Sequence, residues 1–261
     1  MTIGIMAAMH DEIAELIGLM AHNEQSEVLH IGRRDFYVGQ LDGQACVVVL
    51  AGIGKVAAAS TASTLIQQFG VSHIVFAGLA GGLAVHARVG DVVIADRLVH
   101  HDMDARPLFP RYEIPLTGMA EFQVSESLCA QLQSASEDFF EHHIAERISG
   151  DVMERFGLAR PRSHVGMIIS GDQFIGSRQA AEKLRAELPQ ACAVEMEGAA
   201  VAQICYEHDI PCAIIRTISD RAEDTAHVDF DQFLKNIASQ YSSGILRNYL
   251  SRLSEPQPAK P

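Results

Sequence analysis

Two segments place acids at the ends of apolar runs. In Val194-Glu195-Met196-Glu197-Gly198-Ala199-Ala200, two carboxylates flank a methionine where a hydrophobic strand gives way to a helical pattern. Such a pair is costly if it is merely buried. A carboxylate at a helix start suits the helix dipole, and it can accept hydrogen bonds from two adjacent hydroxyls, as on a ribose. The same residues also fit a plain capping and salt-bridge role, and spacing leaves both readings open. In Ile214-Ile215-Arg216-Thr217-Ile218-Ser219-Asp220, a buried strand ends in polar residues. An acid there can act as a general acid, a role worth roughly 10²–10⁴-fold. Ser219 and Asp220 are equally good helix N-caps.

Two glycine-rich segments follow apolar strands. Gly52-Ile53-Gly54-Lys55-Val56-Ala57 half resembles a dinucleotide fingerprint, but no acid lies about 20 positions on, where Ser72 and His73 stand. It fails as a phosphate loop because Val56 replaces the hydroxyl residue after the lysine. A tight turn that lets backbone approach a ligand fits better. Gly78-Leu79-Ala80-Gly81-Gly82-Leu83 reads as a loop at the carboxyl edge of the sheet, where α/β proteins bind ligands; a purely structural turn is the alternative. His100, His101, His142 and His143, with Asp102 and Asp104, match no metal motif, and no G-x-S-x-G elbow occurs. Neither a metal nor a cofactor is expected.

The elements that must position these groups alternate. Ile3–Met6, His73–Ala77, Asp91–Asp96, Val165–Ile169, Ala191–Val194 and Cys212–Ile218 read as strands. Phe36–Leu41 and Cys46–Leu50 flank Asp42-Gly43, a hairpin signal. Helical patterns cover 11–20, 56–69, 178–187, 198–208 and 230–253. The alternation predicts one α/β domain over residues 1–253, with a mixed, largely parallel central sheet flanked by helices. Residues 102–163 form an excursion with three early prolines and a helical stretch near 125–146. The Pro-rich end, 254–261, reads as a disordered tail.

With 261 residues, 48% of them hydrophobic, the chain can bury a full core. The formal net charge of -13 argues against nucleic acid as partner, because phosphate backbones are held by Lys and Arg. It does not argue against an uncharged nucleoside. Five cysteines in no zinc spacing read as reduced thiols. The N-terminus has no signal-peptide pattern, and no apolar run reaches the roughly 18 residues of a membrane helix. A soluble, cytoplasmic protein with no membrane partner is expected.

Taken together, the motifs resemble those of the 5′-methylthioadenosine/S-adenosylhomocysteine nucleosidases, within the wider purine nucleoside phosphorylase superfamily. The match runs in order along nearly the whole chain. It passes through Ile3-Gly4-Ile5-Met6-Ala7-Ala8-Met9 and Glu12, Ala51-Gly52-Ile53-Gly54-Lys55-Val56-Ala57-Ala58, Ala80-Gly81-Gly82-Leu83 and Val89-Gly90-Asp91. It continues through Ile169-Ser170-Gly171-Asp172-Gln173-Phe174-Ile175, Ala193-Val194-Glu195-Met196-Glu197, Arg216-Thr217-Ile218-Ser219-Asp220 and Asp229-Phe230-Asp231-Gln232-Phe233.

The resemblance implies a nucleoside phosphorylase-like fold, a homodimer, and hydrolysis of a purine N-glycosidic bond that releases adenine, as in methionine salvage. It implies that Glu12 deprotonates the attacking water and that Asp220 protonates N7 of the departing base. Glu197 would grip the ribose hydroxyls, with Glu195 beside it, Met196 beneath the sugar and Arg216 orienting Glu197. Phe174 would stack on the base and the Ile175 backbone would read it. Ile53, Leu79, Ser219 and Phe230 fall at pocket positions.

Two departures bear on the substrate. The family commonly carries a small hydroxyl residue where Leu79 stands. The segment Arg106-Pro107-Leu108-Phe109-Pro110-Arg111-Tyr112 leaves the family pattern, and its arginines suggest a polar or acidic 5′ group. Three other readings stay open: a nucleosidase for another 5′-modified nucleoside such as aminodeoxyfutalosine, a phosphorylase, and a non-catalytic nucleoside-binding protein. A phosphorylase needs a phosphate cradle, ordinarily of arginines, and Ala77-Gly78-Leu79-Ala80-Gly81 has neither Arg nor Thr. Retention of all three acids speaks against a non-catalytic binder.

Overall fold

The computed structural model describes residues 1–158, 160–222 and 226–254, with backbone alone for 226–229. The tail expected at 254–261 lies outside this description apart from Ser254.

One mixed sheet organises the chain. Strand β1 (Thr2–Ala7) pairs in parallel with β4 (Gln44–Leu50) on one side and with β5 (His73–Gly82) on the other. Both faces of β1 are buried, so its run is continuously small or apolar. Antiparallel strands β2 (Glu27–Ile31) and β3 (Arg34–Leu41) extend the sheet beyond β4. Asp42 and Gly43, both at positive φ (46° and 81°), close the expected hairpin between Leu41 and Gln44. Strand β2 was not anticipated. It is an exposed edge, and its turn signal is Gly32-Arg33, again at positive φ.

On its other edge β5 runs parallel to β10 (Cys212–Asp220), and its last residues pair with β9 (Ala191–Glu195). Strands β6 (Val92–His100) and β8 (Ser163–Ser170) complete the circuit from β10 back to β9. Five strands therefore close into a ring, and β1, β4, β3 and β2 form a wing that leaves it along β5. The sheet is mixed, as expected, and its longest ladders, β5–β10 and β6–β8, are parallel. Antiparallel pairings enter at β2–β3, β3–β4, β5–β9, β6–β10 and at β7 (Phe122–Gln123) beside β6.

Helices cover both faces. On one side α1 (His10–Ala21) and α9 (Ser239–Ser254) pack with α3 (Glu126–Asp138) around Ile5, Leu16, Val48, Leu132 and Leu246. On the other, α2 (Lys55–Phe69) and α7 (Gly198–Glu207) enclose Met6, Val49, Leu65, Phe76 and Val201. Helix α6 (Arg178–Glu187) buries Ala181 and Leu184 against Val99, Met167 and Ile169. The small residues of α2 let it lie close to α7.

The excursion is only partly a loop, for α3 buries Leu128, Cys129, Leu132 and Ala135 in the main core. Its helical stretch widens to a π turn at Phe139–His143 before α4 (Ile144–Arg147), and α5 (Gly150–Arg155) follows. The helix expected at 230–253 starts earlier, as α8 (Ala226–Phe233), and a second π turn at Leu234–Ala238 joins it to α9. Among the described residues, no helix is long and apolar enough to cross a membrane.

Candidate active site

The carboxyl ends of β1, β5, β9 and β10 surround a cavity of about 230 Å³. Glu12, in the first turn of α1, enters from β1. Its Oε2 accepts the amides of Ala8 and Met9, each at 2.9 Å, and its Oε1 accepts the Leu79 amide at 2.9 Å. The backbone leaves helical geometry at Ile13 (φ −135°, ψ 27°), so this turn is set apart from the rest of α1. Burial raises the Glu12 pKa, while the Arg216 charge and the three amides pull it back. Room for the carboxylate comes from Gly78, where a Cβ would sit 2.7 Å from Oε1.

The two acids of the Glu-Met-Glu segment divide the work that spacing could not apportion. Glu195 is the structural one. Its Oε2 receives Arg216 Nη2 at 2.7 Å and Nε at 3.2 Å, and its Oε1 receives the Ser170 hydroxyl. The amides of Glu197 and Gly198 also donate to it, at 3.1 Å and 2.8 Å, which caps α7. Arg216 thus orients Glu195 and not Glu197, correcting the expectation. The guanidinium is 1% exposed, lies 4.1 Å from the Phe76 ring centre, and gives Nη1 to the Phe76 and Ile215 carbonyls. Glu195 lines the cavity wall with both oxygens already engaged by the protein.

Glu197 is left to face the cavity. Its carboxylate accepts the Gly54 amide, 2.8 Å from Oε1. Gly54 makes it at φ 96°, which explains why the Gly52–Gly54 turn needs glycine. Burial, and then the nearby charge of Glu195, push Glu197 up to about 8.

Asp220 is 2% exposed. A register shift between Ile218 and Asp220 against β5 bulges Ser219 and re-aims the acid. The Ser219 hydroxyl donates to Oδ2 at 2.7 Å, and the Ala222 amide to Oδ1 at 2.7 Å. Asp220 ends β10 while α8 begins only at Ala226, so it is no helix N-cap. Gly81, paired with Asp220 across the strands, leaves space for it: a Cβ there would lie 2.9 Å from that of Ala222 and 3.1 Å from Oδ1. Residues 78–82 of the expected loop 78–83 are thus the continuation of β5, a correction that follows from their pairing with β10 and β9.

Ten of the twelve expected site residues line the cavity: Glu12, Ile53, Leu79, Phe174, Ile175, Glu195, Met196, Glu197, Asp220 and Phe230. Arg216 and Ser219 lie behind it and act through Glu195 and Asp220. Ile53 and Phe174 are more than half or half exposed at the mouth, where the Phe174 and Phe230 rings meet edge to face at 5.9 Å. Ala8, Met9 and Gln173 also line it and were not named as site residues, while Ala80 and Gly81 come from the glycine-rich segment expected at the ligand-binding edge and Val194 from the Glu-Met-Glu segment. Ala8 and Met9 follow β1 directly, and the rule that ligands bind beyond strand carboxyl ends would have found them. The Asp229 side chain lies outside the described residues.

Arg106 and Arg111 do not reach this cavity within the chain. Arg106 pairs with Asp104, and Arg111 pairs with Glu187 at 2.6 Å while lying over the Tyr112 ring. Among the described residues, no three of His, Cys, Asp and Glu stand close enough together to hold a metal ion.

A carboxylate-lined cleft at the strand ends of an α/β ring can receive the hydroxyls of a nucleoside's sugar. The chain belongs to the phosphorylase superfamily, whose model matches residues 2–251. A Mycobacterium bovis 5′-methylthioadenosine/S-adenosylhomocysteine nucleosidase is 36% identical over 94% of this chain and 96% of its own length. The structure of the nucleosidase of that name from Neisseria meningitidis, in complex with methylthio-immucillin-A, is 32% identical with a TM-score of 0.82, covering 96% of this chain and 99% of that one. Futalosine hydrolase of Helicobacter pylori is also 32% identical, with a TM-score of 0.80 and coverage of 96% and 97%.

Proposed function

We propose that the protein is a nucleosidase that hydrolyses the N-glycosidic bond of a purine nucleoside, with 5′-methylthioadenosine and S-adenosylhomocysteine as leading substrates and adenine as the released base. The observation that carries hydrolysis is the cavity lining. It holds Glu12, Glu195, Glu197 and Asp220 and, among the described residues, no Lys, Arg or His. A phosphate dianion entering beside the sugar would meet carboxylates and no cation to hold it. Water carries no such charge.

The reaction divides among named groups. As the bond from C1′ to N9 breaks, positive charge grows on the ribose and negative charge on the base. Asp220, protonated, delivers its proton to N7, and the Ser219 hydroxyl holds the carboxyl in place. Glu12 accepts a proton from the water whose oxygen bonds to C1′. Its three backbone amides fix it in position, and its burial makes it a stronger base than an exposed glutamate. Glu197 receives the 2′- and 3′-hydroxyls, Met196 lies under the sugar, and Phe174 with Phe230 covers the base, whose edge the Ile175 backbone reads.

A second substrate class is favoured by Leu79. Its side chain lines the cavity and supplies no hydroxyl, although its amide still serves Glu12. A 5′-modified nucleoside such as aminodeoxyfutalosine is the alternative, in keeping with the resemblance to a chain named futalosine hydrolase. The protein is further proposed to work as a cytoplasmic homodimer in methionine salvage. Five free, buried cysteines suit a reducing compartment.

Base release from a panel of 5′-varied purine nucleosides, with and without phosphate, tests the proposal. Phosphate-independent release of adenine and a free sugar is expected. A requirement for phosphate with a sugar-1-phosphate product would replace hydrolysis by phosphorolysis, and binding without release would leave a nucleoside-binding protein.

A further inference from the structure

Outside the cavity, three loops meet in a small charged knot. The Lys55 amide, first in α2, donates to Asp172 Oδ1 at 2.8 Å. The Asp172 amide donates to Asp102 Oδ2 at 3.0 Å, and Lys55 Nζ reaches Asp102 Oδ1 at 2.6 Å. The three contacts form a closed loop of interactions. One member comes from the turn after β4, one from the segment after β6 and one from the segment after β8.

The knot lies directly beside a group the chemistry needs. Gly54 caps α2 but has no side chain with which to do so, and Asp172 supplies the missing acceptor from 117 residues away. A carboxylate at that helix start also meets the favourable end of the helix dipole. Gly54 in turn gives its amide to Glu197 Oε1 at 2.8 Å. The fit is close, for a Cβ on Gly54 would stand 3.1 Å from Asp172 Oδ1. Asp172 is followed by Gln173, Phe174 and Ile175, which line the other wall of the cavity.

We infer that Asp172, Asp102 and Lys55 form a clip that positions the Gly54 amide against Glu197 and locks the wall carrying Phe174 to the turn carrying Ile53. None of the three touches the cavity, so they are positioning residues and not catalytic ones. The clip explains why an exposed turn can hold one amide in register with a buried carboxylate. With φ of 82° and 96°, Gly52 and Gly54 leave the turn conformationally free unless something outside it fixes it. The consequence for substrate rests on the reading of Glu197 as the acceptor of the ribose hydroxyls. The clip itself does not.

The test uses the full chain with Asp172→Ala, Asp102→Ala and Asp172→Asn. Amide hydrogen exchange at Gly54, followed by NMR or by mass spectrometry of the peptide containing it, reads the clip without substrate. Exchange should quicken by about tenfold or more in Asp172→Ala, as expected for loss of a hydrogen bond to a charged group. Asp172→Asn keeps an oxygen that can accept the Lys55 amide and should restore most of the protection. All three changes are on the surface, and thermal midpoints near that of wild type confirm folded protein. Unchanged Gly54 exchange in both alanine variants overturns the clip. In kinetics, Asp172→Ala should raise KM for a ribonucleoside about tenfold, and much less for its 2′-deoxy analogue. Faster Gly54 exchange with equal KM changes for both substrates upholds the clip and refutes the hydroxyl-gripping role of Glu197.

Discussion

Gly78→Ala puts the placement of Glu12 to the test without altering any acid. The added methyl would lie 2.7 Å from Glu12 Oε1 and 3.2 Å from Arg216 Nη1. Neither neighbour can yield freely. Glu12 is held by three amides, and Arg216 by Glu195 and two carbonyls. Overpacking of this kind costs about 1–3 kcal/mol, which lowers the melting midpoint by roughly 2–12 °C in a domain of this size. Relief comes most directly by pushing Oε1 off the Leu79 amide. A hydrogen bond to a charged group is worth about 1.5–3 kcal/mol, so kcat should fall roughly 10- to 100-fold. The assay is adenine release by purified variant and wild type, beside a thermal melt of each. Glu12→Gln serves as the control: it abolishes the base but relieves a buried charge, so it should cost activity without the same loss in midpoint. If Gly78→Ala keeps kcat within about threefold of wild type, Glu12 is not held where the water must be activated, and the reasoning fails.

Asp220→Asn retains the shape of the acid but not its proton, and base release should fall by more than about 100-fold; near wild-type turnover removes Asp220 from its role. The raised pKa of Glu197 carries a sign for stability. The folded state holds its proton more tightly than the unfolded chain does, so its contribution is complete below the ordinary value of 4.5 and is lost as pH rises through about 8. Glu197→Gln cannot lose that proton, and denaturant unfolding at pH 5 and pH 8.5 should find the variant gaining on wild type by up to about 1.4 kcal/mol per pH unit; parallel profiles would refute the assignment. Arg216→Met leaves Glu195 buried without its counter-charge and should cost about 3–5 kcal/mol of stability by the same unfolding measurement; a change below about 1 kcal/mol would mean Glu195 is satisfied without it.

Much of this architecture is written in local pattern. Strands such as Cys212–Asp220 are apolar runs bounded by polar residues, and the Asp42-Gly43 hairpin and the Arg178–Glu187 helix follow from near-neighbour chemistry. What depends on distant partners was not legible. That Glu195 is structural while Glu197 faces the cavity is decided by Arg216 and Ser170, which lie 21 and 25 residues away in sequence. That Gly78-Leu79-Ala80-Gly81-Gly82 is strand and not loop is decided by β10 and β9, which pair with it from both sides. Glycine normally weakens strands, but here it makes room for two acids. The antiparallel pairings β5–β9 and β6–β10 belong to ring closure, a topological fact with no local signature, whereas β3–β4 is the hairpin announced by Asp42-Gly43. The acids themselves emerged from the family pattern, because spacing alone could not separate them from caps.

The fork in β5 has a consequence for how the protein fails. Glu12 belongs to the wing, and Glu197 and Asp220 to the ring; the β1–β5 ladder, the Leu79 amide on Glu12 and the Gly54 amide on Glu197 join the two halves. Proteins open in cooperative pieces that need not include the whole fold. If the wing loosens while the ring persists, Glu195, Glu197 and Asp220 stay assembled, while Glu12, Ile53 and the Gly54 amide that meets Glu197 depart. On the roles proposed above, such a molecule would lose the water-activating group together with one wall of the cavity. Partial damage to this protein would therefore silence catalysis while the ring, and most of the fold with it, still stood.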